Sequence, residues 1–395
     1  MLPSSALPSA PACADAAAPP GPARDAGGRA HFAVLDAWRG VAALAVAFRH
    51  INGTAFFLNG PLHSALSSAV DFFFILSGFV IAASYGERLA RGFSLLRYAV
   101  LRWGRVWPLH GLMVLAYVLF ETALWLRGSG GLLGGREAFT GPRDPATLLP
   151  SLMLVQAWIW PGRDLWNTQS WSVSVEMALY CGSALLWRVL GLRANWLALP
   201  AGLAALWAIA LFPAGEQLLR GVAGFGFGMA CWAVWPRLSA LALPRPALQV
   251  AEPLLVGAAL LAFATDQSLR LIDPLFVLVL LVFARAEGPI SALLKTAPAR
   301  WLGALSYSLY MVHMLVIGRL CDALAFVQAR IGARWISVHL GGRDVILLDP
   351  LPAFGVVVAM LAVTLVAAWA AYALVEWPAR DWSRRLAGRI GPQPA

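Results

Sequence analysis

Apolar residues gather in this chain into ten long stretches: 34–56, 67–85, 106–126, 170–189, 194–212, 219–235, 247–265, 271–286, 302–320 and 352–375. A run of about 20 apolar residues predicts a membrane-spanning helix. Only a helix or a closed barrel satisfies its own backbone in lipid. The eighth stretch is short and interrupted by Pro274. Residues 148–160 are too few to span, and predict an interfacial or re-entrant piece with Trp158 and Trp160 at the headgroups. Residues 1–30 are rich in Ala, Pro, Gly and Ser, lack periodicity, and predict a disordered tail without the apolar core of a signal peptide. The first span is therefore read as uncleaved. The fold class predicted is all-α, a polytopic integral membrane protein of about ten helices. The domains expected are a tail at 1–30, one membrane domain at 31–380 and a basic tail at 381–395.

Composition agrees with this pattern. Hydrophobic residues make up 60% of the chain and charged residues 13%, about half the charge of a soluble domain. The net charge of +10 then reads as loop charge that sets topology rather than as a nucleic-acid surface. With the N-terminus inside, the cytoplasmic segments carry twice as many basic residues as the opposite side. Both termini are expected in the cytoplasm. Cys13, Cys181, Cys231 and Cys321 have neither close pairing nor metal-ligand spacing. No metal site and no permanently bound cofactor are expected.

The first span carries the most unusual polar pattern. Asp36, Arg39 and His50 fall on one face of an otherwise apolar helix. Arg39 and His50 are separated by about three turns, roughly 16 Å. Ionisable groups inside a membrane segment are costly and point to a functional site. The blander reading is a helix-end ion pair with His50 marking the far end. Four further stretches add candidates. Asp71 opens an aromatic run containing Ser77-Gly78, where close packing competes with a catalytic role. Arg102 and Arg105 precede Pro108, which can open a helix. They suit phosphates and anchor headgroups equally well. Glu176 lies about two turns into the fourth span, below Trp171 and Ser174 and one turn before Tyr180. It needs a partner, and His50 or Arg49 is geometrically allowed. Ser306, Tyr310 and His313 recur at helical spacing in the ninth span, where hydroxyls more often tie helices together than catalyse. The Gly221–Gly228 run follows no strand and reads as close helix packing. The stretch Val375-Glu376-Trp377-Pro378-Ala379-Arg380 reads as a helix stop.

Taken in order, these motifs resemble the bacterial membrane acyltransferase type three family, over residues 33 to about 380. The resemblance rests on Leu35-Asp36 with Arg39-Gly40 and His50; Phe72-Phe73 with Ser77-Gly78-Phe79; Arg102, Arg105 and Pro108; Trp171-Ser172 with Ser174-Val175-Glu176; Ser306-Tyr307-Ser308-Leu309-Tyr310 with His313; and Val375-Glu376. Met177 and Trp377 depart from the pattern, where relatives often carry an acidic residue and an Arg. The resemblance implies ten helices, a cytoplasmic acyl-CoA donor, commonly acetyl-CoA, and a glycan or lipid-linked glycan acceptor met outside. It implies essential roles for Arg39, His50, Arg102 and Arg105.

The expected reaction is O-acyl transfer. His50 would be the general base, or a transient acyl carrier. Arg39 would fix the donor arm or the thioester oxyanion, held in place by Asp36. Glu176 would orient His50, and Arg102 and Arg105 would hold phosphates. Trp171, Ser174, Tyr310 and His313 are candidates for contact with the acceptor. The competing reading is a multi-pass transporter using the same intramembrane groups, although no inverted repeat is evident.

Overall fold

The computed structural model describes residues 32–128, 137–265, 269–332, 334–340 and 343–390. The tail expected at 1–30 lies outside them. Eleven helices carry the architecture: α1 (Ala33–Arg49), α2 (Ala69–Ile81), α3 (Leu95–Arg127), α4 (Ser170–Leu190), α5 (Arg193–Ala208), α6 (Glu216–Ala240), α7 (Arg245–Ala264), α8 (Leu269–Phe283), α9 (Ala297–Ile331), α10 (Pro350–Ala371) and α11 (Trp377–Arg389). Among the described residues, seven helical segments are long and apolar enough to cross a membrane, which makes the chain a multi-pass membrane protein. The other three stretches expected to span form the shorter helices α1, α5 and α8. Large apolar side chains such as Leu119, Trp125, Val366 and Trp369 stand exposed on the outer helix faces, as lipid contact requires.

Several boundaries differ from the expectation. α1 ends at Arg49, because the next residues leave the helix to pair in a sheet. Pro108 does not open a helix but lies inside α3, which starts at Leu95 behind the N-cap Ser94. A membrane helix tolerates an interior proline when neighbouring groups satisfy the freed backbone. α2 passes into α3 through a π-helical turn, Ala82–Gly86, and a short helix, Glu87–Ala90. A second π-helical turn, Tyr372–Glu376, joins α10 to α11. The basic stretch expected as a tail is therefore helical to Arg389.

Three short strands, β1 (Asn52–Gly53), β2 (Ile336–Leu340) and β3 (Arg343–Ile346), form a sheet in the order β1-β3-β2. β1 runs parallel to β3, with Asn52 opposite Val345. β2 runs antiparallel to it. β2 and β3 lie in the stretch between the ninth and tenth apolar runs. The sheet covers a small apolar cluster of Ile51, Leu58, Ile317, Ile346 and Val357. Residues 148–160 form two short helices, Leu148–Leu152 and Gln156–Ile159. Trp107 and His110 of α3 donate to the carbonyls of Leu152 and Ser151, at 3.0 and 2.8 Å. This satisfies backbone that would otherwise be stranded inside the bundle.

The main core is one continuous apolar cluster threaded by two kinds of tight contact. α1 and α9 touch backbone to backbone. A Cβ on Gly40 would sit 2.5 Å from the carbonyl carbon of Leu302, and one on Gly303 would sit 2.5 Å from the Asp36 carbonyl oxygen. α2 and α6 approach as closely where Gly228 faces Ile75 and Phe79. They are also joined by charge. Arg220 of α6 forks onto buried Asp71, at 2.9 and 2.8 Å. Cutting such a pair leaves an uncompensated charge, so both members must stay.

Replacing Gly40 or Gly303 by Ala should lower the thermal midpoint of the purified protein, with a cost at or above the usual ~1–3 kcal/mol of overpacking, because the clash is with backbone. Gly257→Ala, where the added carbon meets nothing within 4 Å, should leave the midpoint level or raise it slightly.

Candidate active site

The α1–α9 contact sets the geometry of everything polar in the bundle. Gly40 meets Leu302 and Gly303. Ten residues further along each helix, the rings of His50 and His313 lie 4.9 Å apart between centroids. The two helices therefore run in the same direction, in register, for about three turns. Arg39 marks one end of this seam and the imidazole pair marks the other.

Two cavities adjoin at the Arg39 end, sharing Arg39 and Ser306 in their walls. The larger holds about 380 Å³. Among its lining groups are Asp36, Arg102 and Arg105, and also Arg300, Arg380, Arg384 and Glu376. Asp36 stands 3.8 Å from Arg39 Nη1, the partnership expected from the spacing. Arg102 is only 7% exposed. Its Nη2 donates to the Tyr85 hydroxyl at 3.0 Å, and its guanidinium lies near the rings of Tyr85, Tyr98 and Tyr180. A guanidinium over aromatic faces keeps its charge while losing water. The arginines gathered here outnumber the carboxylates, so the cavity suits an anion.

The smaller cavity, about 50 Å³, is lined by Ser77, Ser172, Glu176, Tyr307 and Tyr310 among others. Glu176 does not pair with His50 or Arg49. Its Oε1 accepts from the Ser77 hydroxyl and from Tyr180, the latter at 2.5 Å. Both donors come from groups that pack beside it, Tyr180 one turn along α4 and Ser77 across on α2. Ser77, left between packing and chemistry by the sequence, thus donates to the half-buried Glu176 carboxylate.

The ninth-span motif distributes its side chains among different neighbours. Ser306 lines both cavities. The Tyr307 hydroxyl donates to the Val106 carbonyl at 2.6 Å, and that of Ser308 to Glu376 at 2.6 Å. The Tyr310 hydroxyl lies 2.7 Å from that of Ser172 and 3.0 Å from the Gln169 carbonyl it donates to. His313 faces His50. Each imidazole places Nδ1 on a backbone carbonyl: His50 on Val46 at 2.8 Å, His313 on Tyr310 at 2.7 Å. A carbonyl only accepts, so Nδ1 carries the hydrogen in both rings and Nε2 keeps its lone pair. The His313 Nε2 is buried without a hydrogen-bond partner among the described residues. An imidazole so held can take a proton at Nε2 without turning.

Two candidates fall outside this arrangement. The Ser174 hydroxyl donates to the Leu154 carbonyl at 2.7 Å and pins the 148–160 segment to α4. Trp171 packs against Phe74 and under the Arg220 guanidinium, so it braces the Asp71–Arg220 pair. Neither lines a cavity described above. Conversely, Arg300, Arg380 and Arg384 were not singled out by the sequence. Arg380 and Arg384 follow Glu376 at i and i+4, a pattern that reads from sequence as a charged helix end.

Tyr85→Phe should lower the thermal midpoint, since it removes a hydrogen bond to a buried guanidinium, a loss of about 1.5–3 kcal/mol.

Comparison with known proteins assigns this geometry a chemistry. A sequence profile described as an acyltransferase domain matches residues 32–373. Acyltransferase MdmB of Streptomyces mycarofaciens is 28% identical over 399 residues, covering 91% of this chain and 95% of that protein. Protein 2 in picA locus of Rhizobium radiobacter is 39% identical over 98 residues, 25% of this chain and 49% of that one. No solved structure matches. With the profile running from ahead of α1 into the turn after α10, the chain belongs to the type 3 acyltransferase family.

Proposed function

We propose that this acyltransferase moves an acyl group, commonly acetyl, from cytoplasmic acyl-CoA to a hydroxyl of a glycan or glycan precursor outside the inner membrane. The observation that carries the reading is the seam itself. A basic cavity adjoins a smaller pocket at Arg39, and Tyr310 of that pocket leads within one turn to the imidazole pair. Roughly 16 Å separates Arg39 from His50 along α1. The two cannot act on the same carbonyl in that arrangement. Arg39 would hold the donor's arm where it leaves the basic cavity, and the thioester would lie further in.

In this reading Arg102 and Arg105 face the donor's phosphates, and Asp36 steadies Arg39. His50 takes the acceptor hydroxyl proton at Nε2 while the hydroxyl oxygen attacks the thioester carbonyl. The tetrahedral intermediate collapses to the ester, and the departing CoA sulfur recovers the proton from the imidazolium. His313 and Tyr310 line the acceptor's approach. Glu176 acts from the smaller pocket through Ser77 and Tyr180 rather than on His50. Ten helices span the membrane with both termini inside, which places the basic cavity on the cytoplasmic side. The parallel course of α1 and α9 fits this topology, since both are odd-numbered spans. Family membership favours transfer over the transporter reading of the same groups.

His50→Ala should keep the thermal midpoint while lowering ester formation about 10²–10⁴-fold, the usual contribution of a general base. Product is followed as acylated acceptor and free CoA thiol. An active His50→Ala enzyme removes His50 from the mechanism. Acetyl-CoA at a hundred times its dissociation constant should stabilise the purified protein by about 2.7 kcal/mol. A well-folded sample unmoved by any acyl-CoA refutes the donor assignment.

A further inference from the structure

The Arg102–Arg105 turn is covered by α11. Gly104 stands between the two arginines, and a Cβ on it would collide with the Ser383 side chain. Only a glycine lets α11 seat this closely. Ser383 is buried, and its neighbours on that helix, Arg380 one turn earlier and Arg384 one residue later, line the basic cavity. Glu376 fastens the start of α11 on its other side. It accepts from Ser308 of α9 at 2.6 Å and pairs with Arg380 at 3.3 Å. Arg300, near the N-terminus of α9, completes the same wall.

Six arginines, Arg39, Arg102, Arg105, Arg300, Arg380 and Arg384, thus line one cavity with only Asp36 and Glu376 to offset them. Like charges gathered in a partly dry space repel, and the repulsion is relieved by an anion of several charges. Arg102 carries a second sign of an absent acceptor. It is 7% exposed, and its Nε finds no hydrogen-bond partner among the described residues. Guanidinium groups arriving from separate helices match the spread-out oxygens of a diphosphate and a phosphate monoester, which each fork can grip with two bonds.

We infer that Arg300, Arg380 and Arg384 form a phosphate clamp, so that α11 is part of the donor site and not a membrane anchor. The ligand chemistry is a nucleotide bearing a diphosphate and a further phosphate monoester. The inference rests on the proposed CoA donor. An anionic lipid headgroup offers the same phosphate chemistry with fewer charges, and the experiment separates the two.

The full-length protein is reconstituted in phosphatidylcholine nanodiscs and titrated with CoA, 3′-dephospho-CoA and pantetheine. Arg300→Gln and Arg384→Gln change exposed side chains and should leave folding intact. Arg385→Gln, whose guanidinium pairs with Asp381 at 2.6 Å outside the cavity wall, is the control. Each of the first two should weaken CoA binding about tenfold, the loss of one charge-assisted contact. The control should stay at the wild-type value, and pantetheine binding should not respond to any of them. High salt should weaken CoA binding by wild type more than by Arg384→Gln. CoA binding that neither Arg300→Gln nor Arg384→Gln weakens overturns the clamp and leaves the donor assignment standing. A folded wild type that binds no CoA overturns the donor assignment and the clamp with it. In discs containing phosphatidylglycerol, lipid retention that depends on Arg384 while CoA binding does not would identify a lipid site and overturn the inference.

Discussion

Two glycines facing each other across α1 and α9 are the constraint on which the rest depends. With no side chain at Gly40 or Gly303, the two backbones meet, and the helices stay locked side by side for three turns. That single contact puts Arg39 beside Ser306 and His50 against His313. It also fixes which way Tyr307, Ser308 and Tyr310 point, and through them the positions of α3, the turn before α11 and the start of α4. A seam of backbone rather than side chains has little freedom to slide, which suits a site whose two ends must keep their spacing.

Polar groups do most of the remaining joining. In lipid there is no hydrophobic gain in bringing two apolar helices together, so hydrogen bonds and ion pairs carry specificity. The Asp71–Arg220 fork joins α2 to α6. Glu252 of α7 accepts from the backbone of Gly288 and Ser291 at 2.9 and 2.8 Å, closing the loop ahead of α9. None of these groups lines either cavity. An ionisable residue in a membrane helix is therefore a prompt to look for its partner before assigning it chemistry.

Much of this was legible in the residues. Asp36, Arg39 and His50 could be set on one face by counting, and the pairing of Asp36 with Arg39 followed. The helical stretches were visible as apolar runs, and the Gly221–Gly228 run read correctly as a packing surface. What counting within a helix cannot give is which helix lies opposite. Helix counting allows Glu176 to reach His50 or Arg49, yet Ser77 and Tyr180 are the groups that hold it. Ser174 looked like a site residue by its place next to Glu176, but faces the Leu154 carbonyl one side over. The arginines of α11 were hidden by their resemblance to ordinary positive-inside charge. Only the fold, by seating Ser383 on Gly104, turns that charge toward the cavity.

The two π-helical turns, Ala82–Gly86 and Tyr372–Glu376, both border the basic cavity, through Ser84 and Tyr85 on one side and Tyr372 and Glu376 on the other. Each such turn amounts to one residue slipped into an α-helix. One residue of slip rotates everything downstream by about 100° around the helix axis. The facing of Arg380 and Arg384 is thus written in the length of the chain as well as in its composition. A sequence could keep every arginine here and still, by shedding a single residue between Ala371 and Trp377, aim them at lipid. Comparisons that align such relatives by residue identity alone would miss the change; alignment of the gap would reveal it.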